Sequence, residues 1–223
     1  MPRFLIDLHC HTREKSFDGM LPAVEIARRL HHQGFNGVVF TDHEQTWSEK
    51  ELSALREEAG LPPMFFLAAG QEVRVNVGEQ LGGDLLVYGP KEDFPDGTPV
   101  DEVLDAVKET GGFCIAAHAA AHRIGFGPHL GDYPVHAIET WNGRYGNRIA
   151  QKSEIFAERY KLPSVGGSDT HQDEDVGGGG TEFPELPQTL DDLTRLVTAG
   201  HCKPWKPSMK TRVFQWLSRE VEG

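Results

Sequence analysis

Near its start the chain reads "FLIDLHCHT", Phe4 to Thr12, an apolar run holding two imidazoles with one residue between them. In a β-strand alternate side chains share a face. Leu5, Asp7, His9 and His11 would lie on one side, and Phe4, Ile6, Leu8 and Cys10 on the other. Neutral imidazole is the commonest protein metal ligand. A carboxylate and two imidazoles in a row read as one edge of a metal-binding face; the plainer alternative is a solvent-facing strand. The pattern recurs along the chain. Other apolar runs end in Asp42-His43, reach Glu72, end in His118, carry Glu139 and end in Asp169-Thr170-His171. In parallel α/β folds, ligands bind at the carboxyl ends of strands. One histidine at a strand exit is usually a hydrogen-bonded structural residue. Metal-type residues at six exits would converge on one rim.

The elements that must position them alternate. Strand patterns are "RFLIDLH", "NGVVFTDH", "MFFLAAGQEV", "FCIAAH", "AIETWN" and "LPSVGGSDTH". Helical patterns lie between them. "LPAVEIARRLHHQG" has Pro22 early and Gly34 at its end, "SEKELSALREEAG" opens on a Ser48/Glu51 capping box, and "TPVDEVLDAVKETGG" carries a Val100, Val103, Leu104, Val107 stripe. "RYGNRIAQKSEIFAERY" and "TLDDLTRLVTAG" supply later helices. This rhythm predicts an α/β fold with a mostly parallel sheet, open or closed, in a single domain over residues 1–223. "DVGGGGTEF" lacks the Lys-Ser/Thr of a phosphate-cradling loop and reads as a flexible loop beside the site.

Composition narrows the class. No apolar run is long enough to span a membrane, and the N-terminus lacks a signal-peptide pattern. Cys10, Cys114 and Cys202 form no close pair, so a reducing cytoplasm is the expected location. The formal net charge is −12, which repels long polyanions, while 11 histidines point to metal. The one basic stretch, "KPWKPSMKTR" from Lys203 to Arg212, reads as a solvated connection into a last helix.

The ordered set "DLHCHT", "TDH", "GQEV", "AAH" and "GSDTH" resembles the polymerase and histidinol phosphatase (PHP) family of metal-dependent phosphoesterases. The matches run in order from residue 7 to residue 171. The resemblance implies a distorted (β/α)7 barrel with two or three divalent ions (Mn, Fe or Zn) at its carboxyl-end rim. By the same resemblance, His9, His11, Glu72 and Asp169 hold a first ion, Glu72 bridges to a second that His118 also binds, and His43 and His171 hold a third. Glu72, Asp169 and His171 are then the residues closest to the chemistry. Hard carboxylates can bridge two cations, and imidazoles suit these metals.

Three departures stand out. "HTREKSFDG" places Asp18 seven residues after His11, later than the family's usual acid; it reads as a third-ion ligand behind a small insertion. "GGDLLVYG" puts Asp84 where many members have a ligating histidine, and it reads as a replacement ligand or a turn residue. "HAAAH" keeps His118 but loses the usual proline, and adds His122, a candidate extra phosphate contact that reads first as an outer or surface residue. Asp7 reads as a partner that orients an imidazole, and Glu139 and Asn142 as orienting residues. Arg123, Arg144 and Arg148 are candidates for gripping phosphate, since guanidinium forks match it.

Three divalent ions would outweigh Asp18, Glu72, Asp84 and Asp169 by two charges, enough to attract a phosphate dianion to an acidic protein. The expected activity is hydrolysis of a small phosphomonoester by a metal-bound hydroxide. The second reading is an exonuclease or phosphodiesterase on nucleotides or short oligonucleotides. The third is a metal-binding interaction module without turnover. Neither a membrane nor a long duplex is an expected partner.

Overall fold

The computed structural model describes residues 3–43, 45–77 and 80–208. Strand β1 (Phe4–Asp7) is followed by α1 (Ala23–His32), β2 (Gly37–Phe40), α2 (Glu49–Ala59) and β3 (Phe66–Ala69). Next come β4 (Gln71–Val77), β5 (Gln80–Tyr88), α3 (Val100–Thr110), β6 (Phe113–Ala116) and β7 (Ala137–Asn142). The described chain closes with α4 (Gly146–Tyr160), β8 (Ser164–Gly167), β9 (Gly180–Phe183), α5 (Leu190–Thr198) and β10 (Lys203–Trp205).

Helix boundaries follow local chemistry. Ser48 Oγ accepts the Glu51 N–H while Glu51 accepts the Ser48 N–H, and Gly60 in the left-handed region ends α2. Gly111 ends α3 in the same way. Each helix turns an apolar stripe inward: Ile26, Ala27 and Leu30 on α1, Val103 and Val107 on α3, Leu193, Leu196 and Val197 on α5.

The strands form two five-stranded sheets, ordered β10-β9-β1-β2-β3 and β4-β5-β6-β7-β8. Pairs β1/β2, β2/β3, β6/β7 and β7/β8 are parallel; β1/β9, β9/β10, β4/β5 and β5/β6 are antiparallel. The described pairing is therefore mixed, and no single closed ring of seven parallel strands is found. Connection length explains the mixture. "MFFLAAGQEV", read as one strand, is β3 and β4 broken at Gly70, and β4 returns as β5 without a crossover helix. A Cβ on Gly70 would sit 2.5 Å from the Val87 carbonyl oxygen, so this corner needs glycine.

The sheets meet at the strand exits. The Glu72 N–H donates to the Thr41 carbonyl at 3.0 Å, tying the start of β4 to the end of β2. On the other side, the Asp169 N–H donates to the His9 carbonyl at 2.8 Å and the His11 N–H to the Thr170 carbonyl at 3.0 Å. The segments after β1, β2, β3, β6 and β8 are thereby drawn to one end.

Two loop expectations change. The glycine run before β9 is packed: a Cβ on Gly179 would lie 2.1 Å from the Gly167 carbonyl oxygen, and the Trp141 indole N–H donates to the Gly178 carbonyl at 3.0 Å. Lys203–Trp205, read as a solvated connection, is strand β10, with Lys203 paired to Glu182 at 2.9 Å. Met209 to Arg212, and the helix expected after them, lie outside the described residues. Among the described residues no helix is long and apolar enough to cross a membrane.

Candidate metal centre

His9 and His11 lie beyond the end of β1, both fully buried. Their Nε2 atoms are 3.1 Å apart and face Glu72 Oε2, at 3.1 Å from His9 and 3.0 Å from His11. Asp169 Oδ1 is 3.5 Å from each. His9, His11, Glu72 and Asp169 thus bring four ligand atoms within 4.8 Å of one another. A second set, His11, Asp18, His43 and His171, meets the same limit, as does a third, Glu72, Asp84 and His118. Glu72 divides its oxygens: Oε2 faces His9 and His11, and Oε1 faces His118 Nε2 at 3.0 Å. His171 Nε2 is 3.0 Å from Asp18 Oδ2, and His43 Nε2 is 3.6 Å from the same oxygen. His11 occurs in two sets, but its Nδ1 meets Ser16 Oγ at 3.2 Å, which leaves Nε2 for one ion.

These rings are held from behind. Glu139 Oε1 lies 3.0 Å from His9 Nδ1, while its Oε2 accepts the His118 N–H at 2.8 Å and the Asn142 amide at 2.9 Å. Asn142 also donates to Asp169 Oδ2 at 3.0 Å. Asp7 does not orient a ring as the sequence suggested. Its Oδ1 accepts the backbone N–H groups of His9 and Ser168, so it joins the ends of β1 and β8. Two site residues carry uncommon backbone: His118 at φ 29° and Asp169 at φ 56°, a region non-glycine residues seldom occupy.

The electrostatics follow from burial and crowding. Burial opposes charge on His9, yet Glu72, Asp169 and Glu139 raise its pKa well above the usual imidazole value. His11 is pushed down to about 4 by burial, with the neighbouring His9 and His43 adding to the fall. For His171 burial is outweighed by Asp169 and Asp18, which lift it to about 10. Asp7, desolvated, rises to about 7. Asp169 Oδ1 and Asp18 Oδ1 are buried without a hydrogen-bond partner. Acceptor-only oxygens facing imidazole nitrogens suit a divalent cation, so the residues present fit the metal that the motifs imply.

The remaining expected residues fall into two groups. Asp84 lies beside His118, with Oδ2 3.7 Å from His118 Nε2, but both its oxygens accept the Arg74 guanidinium. Arg144 reaches the rim, with Nη1 2.9 Å from His171 Nδ1. His122, Arg123 and Arg148 are exposed, and among the described residues none is brought into contact with the three sets.

Sequence reasoning missed several contributors. Ser16 links the His11 ring to the His43 backbone N–H. Asp42 accepts from the Thr12 backbone and from Trp47 Nε1, fixing the loop that carries Asp18. Phe17 stacks on His43 at 5.4 Å while 71% exposed, and Tyr145 meets the His118 ring edge-on at 5.3 Å. Ser16 and Phe17 lie within "HTREKSFDG", between the ligand candidates, which was the available signal.

Residues 148–202 match the family model described as PHP-associated. An uncharacterised protein of Methanocaldococcus jannaschii is 26% identical over 167 residues, covering 70% of this chain and 92% of that protein. A two-domain protein from Bacteroides vulgatus, containing a predicted PHP-like metal-dependent phosphoesterase, superposes with a TM-score of 0.68 at 15% identity, over 97% of this chain and 70% of that one. The lesion-specific endonuclease Q of Pyrococcus furiosus does so with a TM-score of 0.63 at 13% identity, over 91% of this chain and 58% of that one. At such identities the structural likeness carries the fold. Together with the PHP-associated segment and the ordered motifs gathered at one rim, it makes the chain similar to proteins of the PHP family.

Proposed function

We propose that the chain acts as one domain, a metal-dependent phosphoesterase that hydrolyses a small phosphomonoester. The observation that carries this reading is the divided Glu72 carboxylate, one oxygen toward His9 and His11 and the other toward His118. Such a carboxylate would hold the ion of the His9 and His11 set and, whenever the His118 position is filled, a second one, as in hydrolytic metal clusters. In this reading His9, His11, Glu72 and Asp169 hold one ion, and Asp18, His43 and His171 hold another. His118 and Glu72, with Asp84, form the third position. Bound divalent ions would neutralise the phosphoryl group and lower the pKa of an attacking water. Glu139 and Asn142 fix the tautomer and angle of the ligands. Arg144, exposed at the rim beside His171, is placed to grip a phosphate oxygen; this role replaces the one suggested for His122 and Arg123.

A net charge of −12 and the compact set of sites favour a small substrate. The nuclease reading is kept because endonuclease Q shares this fold over 91% of the chain. A cytoplasmic setting fits the three free cysteines. The test is elemental analysis of the gently purified protein, then a substrate panel on metal-reconstituted enzyme. The panel holds sugar phosphates, histidinol phosphate, nucleotides and short oligonucleotides. Metal-dependent turnover of a monoester, with shallow salt dependence, is the expected result. Faster cleavage of an oligonucleotide than of any monoester would give the nuclease reading. Bound metal with no turnover would leave an interaction module.

A further inference from the structure

Arg74 on β4 stands directly opposite Asp84 on β5. Directly opposed residues of an antiparallel pair share a face, with Cβ atoms about 4.5–5.5 Å apart. The strand register itself therefore brings guanidinium to carboxylate. Arg74 Nε donates to Asp84 Oδ1, and Nη2 to Oδ2 at 2.7 Å, a two-point fork on a residue only 2% exposed.

That fork falls on the poorest of the three ligand sets. Glu72, Asp84 and His118 are its three donors. With both Asp84 oxygens engaged, the position keeps His118 Nε2 and one Glu72 oxygen. Protein-held transition ions ordinarily take three or more protein ligands. A guanidinium on the same carboxylate also repels an incoming dication. The other two sets differ. Arg144 approaches His171 at Nδ1, while the Nε2 that faces Asp18 stays open, and Asp169 Oδ1 has no hydrogen-bond partner.

We propose that Arg74 is an internal cation that takes the place of the third ion. It neutralises Asp84 and leaves the centre with two tightly held ions; the Glu72-Asp84-His118 position fills only when free metal is high enough to displace the fork. This rests on the reading of the rim as a metal centre, and concerns how many ions that centre holds.

The test is equilibrium dialysis of the full chain against stepped free Mn2+ or Zn2+, with elemental analysis at each step. Wild type should plateau at two ions per chain, with a third step at roughly 100-fold higher free metal. Arg74→Met keeps the aliphatic stem and removes charge and fork; it should move the third step down by at least about 10-fold and leave the first two in place. Arg74→Lys keeps the charge without the fork and should move it less. Adding Asp84→Asn to Arg74→Met should abolish the third step. Should Arg74→Met fail to fold, by circular dichroism, Arg74→Gln is read in its place. Three wild-type ions within 10-fold of one another, or a third step indifferent to Arg74, would overturn the proposal while leaving the metal centre standing. No bound ion after reconstitution would overturn the metal centre itself, and this inference with it.

Discussion

Glu139 reaches both halves of the site at once, through the His9 ring and the His118 backbone. Residues that orient metal ligands typically account for 10–100-fold in affinity. Glu139→Gln should therefore weaken metal binding by about 10–100-fold in a chelator competition, and unchanged affinity would reject the orienting role. Glu72→Gln belongs to a different class, because one carboxylate faces two ligand sets. It should release the ion held with His9, His11 and Asp169, take a donor from the His118 position, and lower phosphomonoester turnover by roughly 100-fold or more. His171→Ala should disturb only the ion shared with Asp18 and His43. Near-normal turnover in Glu72→Gln would remove the shared-ligand arrangement. The types of these residues were legible in the sequence, because imidazoles and carboxylates recur at six strand exits, where a structural role would explain one. Their partners were not. Asp7 shares a strand face with His9 by spacing, yet it accepts backbone N–H groups, while the carboxylate on the His9 ring comes from Glu139, 130 residues away. Strand periodicity says which face a side chain takes and nothing of what faces it from another strand.

The helices were legible for a local reason. Ser48 and Glu51 announce the start of α2 within four residues, and the left-handed glycines after α2 and α3 announce their ends. Glu51 also makes a pH prediction. The Ser48 hydroxyl, Lys15 and the Ser48 backbone N–H hold its carboxyl down at about 2, against a usual 4.5. A depressed carboxylate adds stability that is complete above the unfolded value and is lost as pH falls through the folded one. The contribution should therefore be full above about 4.5 and disappear toward 2. Because Glu51 is exposed, it should amount to no more than about 1 kcal/mol. Urea melts between those limits should show the difference between wild type and Glu51→Gln shrinking as the acid limb is descended; a constant difference would count against it. Strands β9 and β10 escaped detection because they are short and built on Gly180 and Pro204, residues that carry no strand signal of their own. Pairing of β9 with β1, and of β10 with β9, makes them strands.

For the whole molecule, the α/β class followed from the alternation of elements, and the gathering of ligands at one rim followed from their place at strand exits. The division into two mixed sheets did not. It depends on Gly70 turning β3 into β4 and on β5 returning antiparallel, both settled by what the backbone meets across the fold. The acidic balance bears on partners at this same scale. With a net charge of −12, an encounter with duplex DNA should be repulsive, and a mobility-shift assay at low salt should show no retardation. Tight duplex binding would count against a small substrate.

The hydrogen bonds that tie the two sheets together at their exits have a thermodynamic counterpart. His9, His11, Asp18 and His43 belong to the chain that builds the first sheet, whereas Glu72 and Asp169 belong to the second. An ion held among them is a cross-link between the two sheets, added to the exit hydrogen bonds and to the apolar cluster of Ile6, Leu8, Leu86, Ile115 and Val165 that both sheets share. Ligand linkage makes such a cross-link a stabiliser: an ion present at 1,000 times its dissociation constant adds about 4 kcal/mol. For a chain of this size that corresponds to a rise in melting temperature on the order of 10 °C. Chelation should lower the melting point by that amount. In hydrogen exchange the Glu72, His11 and Asp169 amides should open together once metal is stripped, because all three lie on the seams the ion would clamp.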